Sequence, residues 1–238
     1  MKLAIMQPYF FPYIGYFQLM YSVDKFIIFD IVQYERHSWI NRNRILSPNL
    51  GKEWTYITVP LDRIKQGTLI KDVKINYNLK WERNILGKLT YYKKIRAPYY
   101  EQIVDLLIKI FDKKYASLTE LNIKCMEVVS SYLGKKFNYE ICSQKNYSLE
   151  NVKEKDDWAL EISKIEGATT YYNAIGGMKF FNREKYYNNG IDIKFIKTNN
   201  IAYKQSKRKF VPNLSIIDVM MFNSEKEIEK MLNMYELI

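Results

Sequence analysis

The segment from Asp30 to Arg44 holds the densest group of side chains that can do chemistry. It contains the only histidine of the chain, His37, and three of its eight arginines, Arg36, Arg42 and Arg44. Polar groups this close together are costly to bury without partners, so they either lie in solvent or line a polar pocket. The other members of the group are Gln33, Tyr34, Trp39, Asn41 and Asn43.

This segment suggests acid–base chemistry on an anionic substrate. Asp30 ends a predicted strand and His37 is the only imidazole, so either is a candidate catalytic proton acceptor, although a loop histidine is more often a surface residue. Arg42 and Arg44 are predicted to hold a diphosphate or a carboxylate through paired hydrogen bonds. The alternative is that one of them forms a local ion pair on the core side.

A proline- and aromatic-rich loop from Gln7 to Tyr13 precedes a predicted helix that is entered through Gly15. The first N–H groups of a helix are unpaired and favour anions, so we expect the loop backbone and Gln7 to contact a phosphate. Tyr9, Tyr13 and Gly15 are included among the predicted substrate contacts. Most aromatic rings of this loop are nevertheless expected to pack in the core.

Two further places are weaker candidates for substrate binding. Asn173 precedes the pair Gly176 and Gly177, which permits close approach of the backbone to a ligand but also makes an ordinary turn. Gln205 follows in a polar stretch near the C-terminal end. Ser215 is better explained as a helix cap than as a nucleophile, because a Ser-His-Asp site needs a suitably placed histidine. The sequence has no metal-ligand cluster, so no metal is predicted.

The elements that must position these residues begin with a strand at 2–6 and a loop. A helix at 14–23 and a second strand at 25–30 follow. This βαβ order predicts an α/β fold with a parallel-sheet core that resembles nucleotidyltransferase-like folds, and with ligands bound beyond the carboxyl ends of the strands. A mostly helical middle segment is predicted at about 79–133, and 33–49 is predicted to be a loop. Further strands are predicted at 54–60, 70–75, 137–142, 169–172 and 191–197, and helices at 156–166 and from Ser224.

Composition narrows the class of protein. With 238 residues, 47% hydrophobic and 16% aromatic, the chain is not disordered, and 9 glycines and 2 cysteines exclude collagen and disulfide scaffolds. The net charge of +11 comes mostly from lysine, which is typical of a compositional bias of the source genome. The cluster of three arginines at 36–44 is more specific, and it favours an anionic small substrate over a nucleic acid. No apolar run suits a signal peptide or a membrane span, which predicts a cytoplasmic protein without membrane insertion.

Several motifs in order along the chain resemble the WbqC-like protein family. The longest is the run from Ile5 to Leu19. The others are Val32-Gln33-Tyr34, Trp39-x-Asn41-Arg42-Asn43, Ala97-Pro98-Tyr99, Gly167-Ala168, Ile175-Gly176-Gly177 and Leu214-Ser215-Ile216-Ile217-Asp218. Two positions depart from the family pattern: Ile31 stands where an acidic residue usually follows Asp30, and Trp158 stands where an arginine usually follows Asp157.

The resemblance implies one WbqC-like domain over residues 1–238 and a role in O-antigen or capsule biosynthesis. The expected activity is an amide-forming acyl- or aminoacyltransferase acting on a nucleotide-linked amino sugar. The acyl donor is left open among acyl-CoA, an acyl- or aminoacyl-carrier, aminoacyl-tRNA and a carboxylate activated by ATP. The alternatives are a nucleotidyltransferase-like enzyme of nucleotide sugars and a non-catalytic binding module of the polysaccharide machinery.

Overall fold

The computed structural model of the protein describes residues 1–49, 51–206 and 209–238. Its strands are β1 Lys2–Met6, β2 Lys25–Ile28, β3 Arg42–Leu46, β4 Trp54–Thr58, β5 Tyr139–Ile141, β6 Thr170–Ala174, β7 Asp192–Thr198 and β8 Tyr235–Leu237. Its helices are α1 Ile14–Tyr21, α2 Trp81–Lys94, α3 Tyr100–Phe111, α4 Leu118–Tyr132, α5 Asp157–Ile165, α6 Arg183–Tyr187, α7 Ile216–Phe222 and α8 Glu225–Leu232. Short 3-10 turns span Ile70–Asp72, Cys142–Gln144 and Ile175–Phe180.

The main sheet has six strands in the order β5-β2-β1-β6-β7-β8. The first five are mutually parallel, and β8 pairs antiparallel with β7 at one edge. The predicted α/β class with a parallel core is therefore confirmed. The chain moves from β1 outward through β2 to β5 and then returns to the other side of β1 with β6. The strand order thus reverses between β1 and β6, where sheets of this kind bind ligands.

Apolar side chains cover both faces of this sheet, because alternate residues of a strand point to opposite sides. One face, which includes Ala4, Phe26 and Ile28, packs against α1, the middle helices and α7 with α8. The other face, which includes Leu3 and Ile27, packs against α5 and α6. Burial on both faces explains why β1 and β2 are nearly continuous apolar runs in the sequence.

The prediction of a loop at 33–49 was wrong over its second half. Arg42–Leu46 forms β3, which pairs antiparallel with β4 in a two-stranded sheet outside the main one. Its outward positions carry Arg42 and Arg44, whereas the inward Ile45 is fully buried. The two charged residues masked the alternation in the sequence. The strand predicted at 70–75 is instead a 3-10 turn followed by a single bridge between Ile75 and Leu61.

The predicted helical middle segment is confirmed as α2, α3 and α4. The side chain of Ser117 caps α4, and Ser224 with Glu227 forms the predicted capping box of α8. Helix α6 and strand β8 were not predicted. Among the described residues, no helix combines the length and apolar character that a bilayer crossing requires.

Candidate functional site

A cavity of about 640 Å³ opens at the carboxyl ends of β1 and β6, where the strand order reverses. We call it the aromatic cavity. Its wall combines the first loop, the β3 strand, the end of β7 and the turn after β6. It is lined by Met6, Tyr9, Pro12, Tyr13, Tyr16, Leu19, Trp39, Asn43, Arg44, Asn173, Ala174, Ile175, Gly176, Gly177, Phe180, Thr198 and Asn213.

Helix α1 begins at this cavity with its N-terminus open. No side chain caps it at Tyr13, and its first turn contains no acidic residue. Only glycine fits at position 15, since an added Cβ would overlap the Tyr13 ring and lie 2.5 Å from Thr198 Oγ1. The helix start therefore packs tightly against two residues of the cavity wall. An uncapped helix N-terminus favours negative charge.

Thr198 connects this wall to the C-terminal helix. Its hydroxyl donates to Gln18 Oε1 at 2.7 Å. The Gln18 amide in turn donates to the carbonyl oxygens of Met231 at 2.8 Å and Met234 at 3.1 Å. Gln18 is almost fully buried, so these contacts satisfy a polar group that would otherwise be costly in the core.

Arg44 is the only charged residue among the described residues that line the aromatic cavity. Its guanidinium lies 5.3 Å from the ring centre of Trp39 and 5.1 Å from that of Trp54. Nη2 donates to the Asn213 carbonyl at 3.2 Å, and no described carboxylate lies within ion-pair distance. A guanidinium fixed by rings and left without a counter-charge is suited to a phosphate or a carboxylate of a ligand.

Arg42 does not share this cavity with Arg44. Its guanidinium stacks on Tyr56 at 4.3 Å, and Nη2 donates to the His37 carbonyl at 2.6 Å. Of the two arginines predicted to form a clamp, only Arg44 lines this cavity, although both lie on the outward face of β3. His37 itself is exposed, with its ring Nδ1 3.5 Å from Arg42 Nη1.

The opposite wall is formed by the end of β6 and its 3-10 turn. Asn173, Gly176 and Gly177, which the sequence suggested as substrate contacts, line this wall. A Cβ at Gly177 would lie 2.8 Å from Asn173 Oδ1, so glycine is required for this close contact. Phe180, which is 55% exposed, and Thr198 also line the cavity and were not predicted from the sequence. Thr198 was discoverable, because it directly follows the strand predicted at 191–197.

The tyrosines of the cavity are hydrogen-bond donors at neutral pH. Burial raises the pKa of Tyr9 and of Tyr13 above the ordinary phenol value, and a smaller repulsion between the two adds to the pKa of Tyr9. Their hydroxyl groups thus stay protonated. The described lining contains no histidine, aspartate or glutamate.

Several predicted site residues lie elsewhere in the described structure. The Gln7 carbonyl accepts from Tyr16, and the exposed Gln33 forms a bridge with Leu69. Tyr34 donates to Asn41 Oδ1 at 2.9 Å. None of Gln7, Gln33, Tyr34 and Asn41 lines the aromatic cavity.

Gln205 belongs to a buried network behind β3. Its amide donates at 2.8 Å to Asp218, which also accepts from Tyr92 at 2.5 Å and from Tyr203 at 2.6 Å. Asp218 is fully buried on α7, and burial raises its pKa to about 6 against the hydrogen bonds that lower it. The family-like run 214–218 thus includes a structural carboxylate.

Asp30 lies in a second cavity, of about 450 Å³, near the carboxyl ends of β2 and β5. We call it the polar cavity. Asp30 accepts from the backbone N–H and the hydroxyl of Ser143 at 2.9 and 2.6 Å. Burial raises its pKa, whereas these hydrogen bonds lower it. Lys71, Lys124, Glu120 and Glu127 also line this cavity.

Comparison with known proteins agrees with the motifs in the sequence. The model of the WbqC-like protein family matches residues 7–230. The chain is 28% identical over 230 residues to an uncharacterized protein, Rv1507c, of Mycobacterium tuberculosis, and the alignment covers 92% of each. No solved structure matches the chain. The family match spans every described residue of the cavity lining except Met6, and on the basis of this match the protein belongs to the WbqC-like family.

Proposed function

We propose that the aromatic cavity binds a nucleotide-linked amino sugar. The observation that carries this proposal is Arg44, a guanidinium held between Trp39 and Trp54 with no described carboxylate partner. Withdrawing a charge from water without a partner is costly, and a diphosphate fits a planar donor. The open N-terminus of α1 adds a second feature that favours the same charge.

The shape of the cavity suits such a ligand. Its volume of about 640 Å³ lies within the range of small-molecule sites. Tyr9, Tyr13 and Trp39 supply flat surfaces and hydroxyl donors for a base or a sugar ring. Asn173 and the turn at Gly176 form the facing wall. The phosphates would lie towards Arg44 and the start of α1.

The proposed reaction is amide formation on the amine of this sugar, by acyl or aminoacyl transfer in cytoplasmic surface-polysaccharide biosynthesis. The amine nitrogen forms a bond to the acyl carbon, the bond from that carbon to the donor's leaving group breaks, and the amine proton passes to that group or to water. Asp30 and His37, the proton acceptors suggested by the sequence, do not line the aromatic cavity. The donor is an acyl-CoA, a charged carrier, an aminoacyl-tRNA or a carboxylate activated by ATP.

Isothermal titration calorimetry with UDP-glucosamine and the corresponding dTDP-linked amino sugar tests the binding step. The wild-type protein should bind at least one of them, and Arg44→Met should weaken binding. Arg36→Met is the matched control, since Arg36 is an exposed loop arginine outside the cavity. Equal losses in both variants, or no binding by the wild type, would contradict the proposal.

A second candidate function is a binding module without catalysis. It is favoured by one observation, the absence of any carboxylate or imidazole among the described residues of the cavity lining. Mass spectrometry of the bound sugar after incubation with each donor class separates the two functions. A gain of acyl mass shows transfer, and unchanged sugar with every donor favours the module. Nucleotidyl transfer, a third reading, would instead release pyrophosphate from a nucleoside triphosphate.

A further inference from the structure

The first loop contains a backbone conformation that side chains seldom adopt. Phe11 has a φ of 41° although it is not glycine, and its side chain is 1% exposed. A left-handed residue of this size persists only where the surrounding structure holds it. Tyr9 and Tyr13, two positions before and after it, line the aromatic cavity.

Two polar side chains hold this turn from outside. Asn43 Nδ2 donates to the carbonyls of Phe10 at 3.0 Å and Phe11 at 2.9 Å. The Ser215 hydroxyl donates to the same Phe11 carbonyl at 2.8 Å. The backbone N–H of Ile216 donates to the next carbonyl, that of Pro12, at 2.9 Å. Three successive carbonyls are thus bonded to donors supplied by β3 and the start of α7.

The same two residues fix Arg44. Asn43 Oδ1 accepts from the Arg44 backbone N–H at 2.8 Å, and the Ser215 backbone N–H donates to the Arg44 carbonyl at 2.8 Å. Both Nδ2 protons of Asn43 are therefore used within the protein, and Oδ1 already accepts a bond. Although Asn43 touches the cavity, its amide protons are committed to the loop.

We infer that Asn43 and Ser215 are positioning residues, which hold the left-handed Phe11 turn so that the start of α1 and Arg44 face the same ligand. They act through the loop and through β3, not on the ligand. Because the turn's carbonyls are bonded to donors within the protein, fewer of its backbone acceptors remain to repel an anion. The inference rests on the proposed function for the identity of that ligand.

Hydrogen exchange of backbone amides, read by mass spectrometry without ligand, tests the inference directly. Asn43→Asp keeps an acceptor for the Arg44 N–H but places an oxygen against two carbonyls. Ser215→Ala removes the hydroxyl donor. Both variants should exchange at least about tenfold faster than wild type at 9–16, beyond any change in the rest of the chain. Ser215→Thr, which retains a hydroxyl, should keep the backbone amides at 9–16 as protected from exchange as in the wild type.

Two matched controls separate positioning from general destabilisation. Asn223 is a buried asparagine whose amide donates to one carbonyl of α7, and Ser224 caps α8 as Ser215 caps α7. Asn223→Asp and Ser224→Ala should leave exchange at 9–16 as in wild type. Equal acceleration in these controls, or unchanged exchange in the Asn43 and Ser215 variants, overturns the inference.

Calorimetry with UDP-glucosamine then links the loop to binding. Affinity should fall about tenfold in Ser215→Ala and stay near the wild-type value in Ser215→Thr. Asn43→Asp is assessed only by hydrogen exchange, because its carboxylate would lie in the cavity lining beside Arg44 and would repel an anion directly. If the wild-type protein binds no nucleotide sugar, the proposed function fails while the exchange result still decides whether the two residues hold the loop. If the wild type binds and Ser215→Ala binds equally well, the positioning role is refuted and the proposed function stands.

Discussion

The aromatic cavity and the polar cavity both lie near the carboxyl ends of parallel strands, yet their charges are arranged differently. In the aromatic cavity a single guanidinium faces rings and hydroxyl groups. In the polar cavity the charges are largely satisfied internally: Glu127 accepts from Lys124 at 3.1 Å and from Tyr139 at 2.9 Å, and both oxygens of Asp30 bond to Ser143.

This difference shows why position in the fold is not enough to identify a site. The carboxyl ends of parallel strands show where a ligand can bind. A charged side chain without a partner at such a place indicates that the ligand carries the opposite charge. Asp30, His37, Arg42 and Arg44 were predicted to form one site because they are close in sequence. The structure distributes them among the polar cavity, an exposed loop, a ring stack and the aromatic cavity.

The largest effect is expected from removing the unpaired charge. Arg44→Met should lower nucleotide-sugar affinity about 100-fold, or about 3 kcal/mol, because a charge-assisted contact is lost. Raising the salt concentration should weaken binding to the wild type more than to the variant. Calorimetry at two ionic strengths measures both effects. If Arg44→Met lowers the affinity by less than twofold, the unpaired charge does not distinguish the aromatic cavity from the polar cavity as a binding site.

The next effect concerns Asp218, the fully buried carboxylate of α7. Its folded pKa of about 6 lies above the ordinary value of 3.8, so its contribution to stability is fully present below about pH 4 and is lost as the pH rises through 6. The unfolding free energy of the wild type relative to Asp218→Asn should therefore fall by about 2 kcal/mol from pH 4 to pH 7.

Urea unfolding of both proteins across this pH range measures that difference. Tyr203→Phe removes one of the hydroxyl donors and should raise the pKa of Asp218 further, which shifts the transition to higher pH. A constant difference between wild type and Asp218→Asn would mean that the carboxylate keeps its ordinary pKa.

A smaller effect is expected at the start of α1. Gly15→Ala forces the Tyr13 ring or Thr198 to move, so nucleotide-sugar affinity should fall about tenfold. Gly87→Ala is the matched control, because a Cβ there meets nothing within 4 Å and alanine favours the helix. Calorimetric titration of both variants with the same nucleotide sugar measures the two affinities. Equal affinities would show that the ligand does not depend on this wall.

The smallest effect is expected in the polar cavity. Lys71→Met removes a cation that lines it, and nucleotide-sugar affinity should change by less than about twofold. Calorimetry under the conditions used for Arg44→Met makes the comparison direct. If Lys71→Met weakens binding as strongly as Arg44→Met, the nucleotide sugar binds in the polar cavity and the comparison is reversed.

The parts of the fold that follow a simple periodic pattern were predictable. Strand β1, helix α1 and strand β2 were found because their apolar runs reflect burial on two faces. Strand β3 was missed because its outward positions are arginines and its inward Asn43 is polar. Pairing with β4 and bonding to the first loop define this strand, and neither is local.

The residues of the candidate site were predictable where they directly follow a predicted strand. Tyr9, Tyr13, Asn173, Gly176 and Gly177 all follow β1 or belong to the end of β6 and its turn. Arg44 lines the aromatic cavity and Arg42 does not, and this difference depends on the aromatic ring that each guanidinium contacts. Two of these rings, Trp54 and Tyr56, lie ten or more residues after the arginines. No spacing rule within 36–44 contains that information.

Gln18 joins the wall of the aromatic cavity to the carbonyls of Met231 and Met234 through Thr198. Free-energy coupling between two regions is reciprocal. If a bound ligand that orders the start of α1 also stabilises the packing of α8, a change that loosens α8 weakens ligand binding by the same factor. Ligand binding at the first loop would then be linked to the stability of the helix Glu225–Leu232.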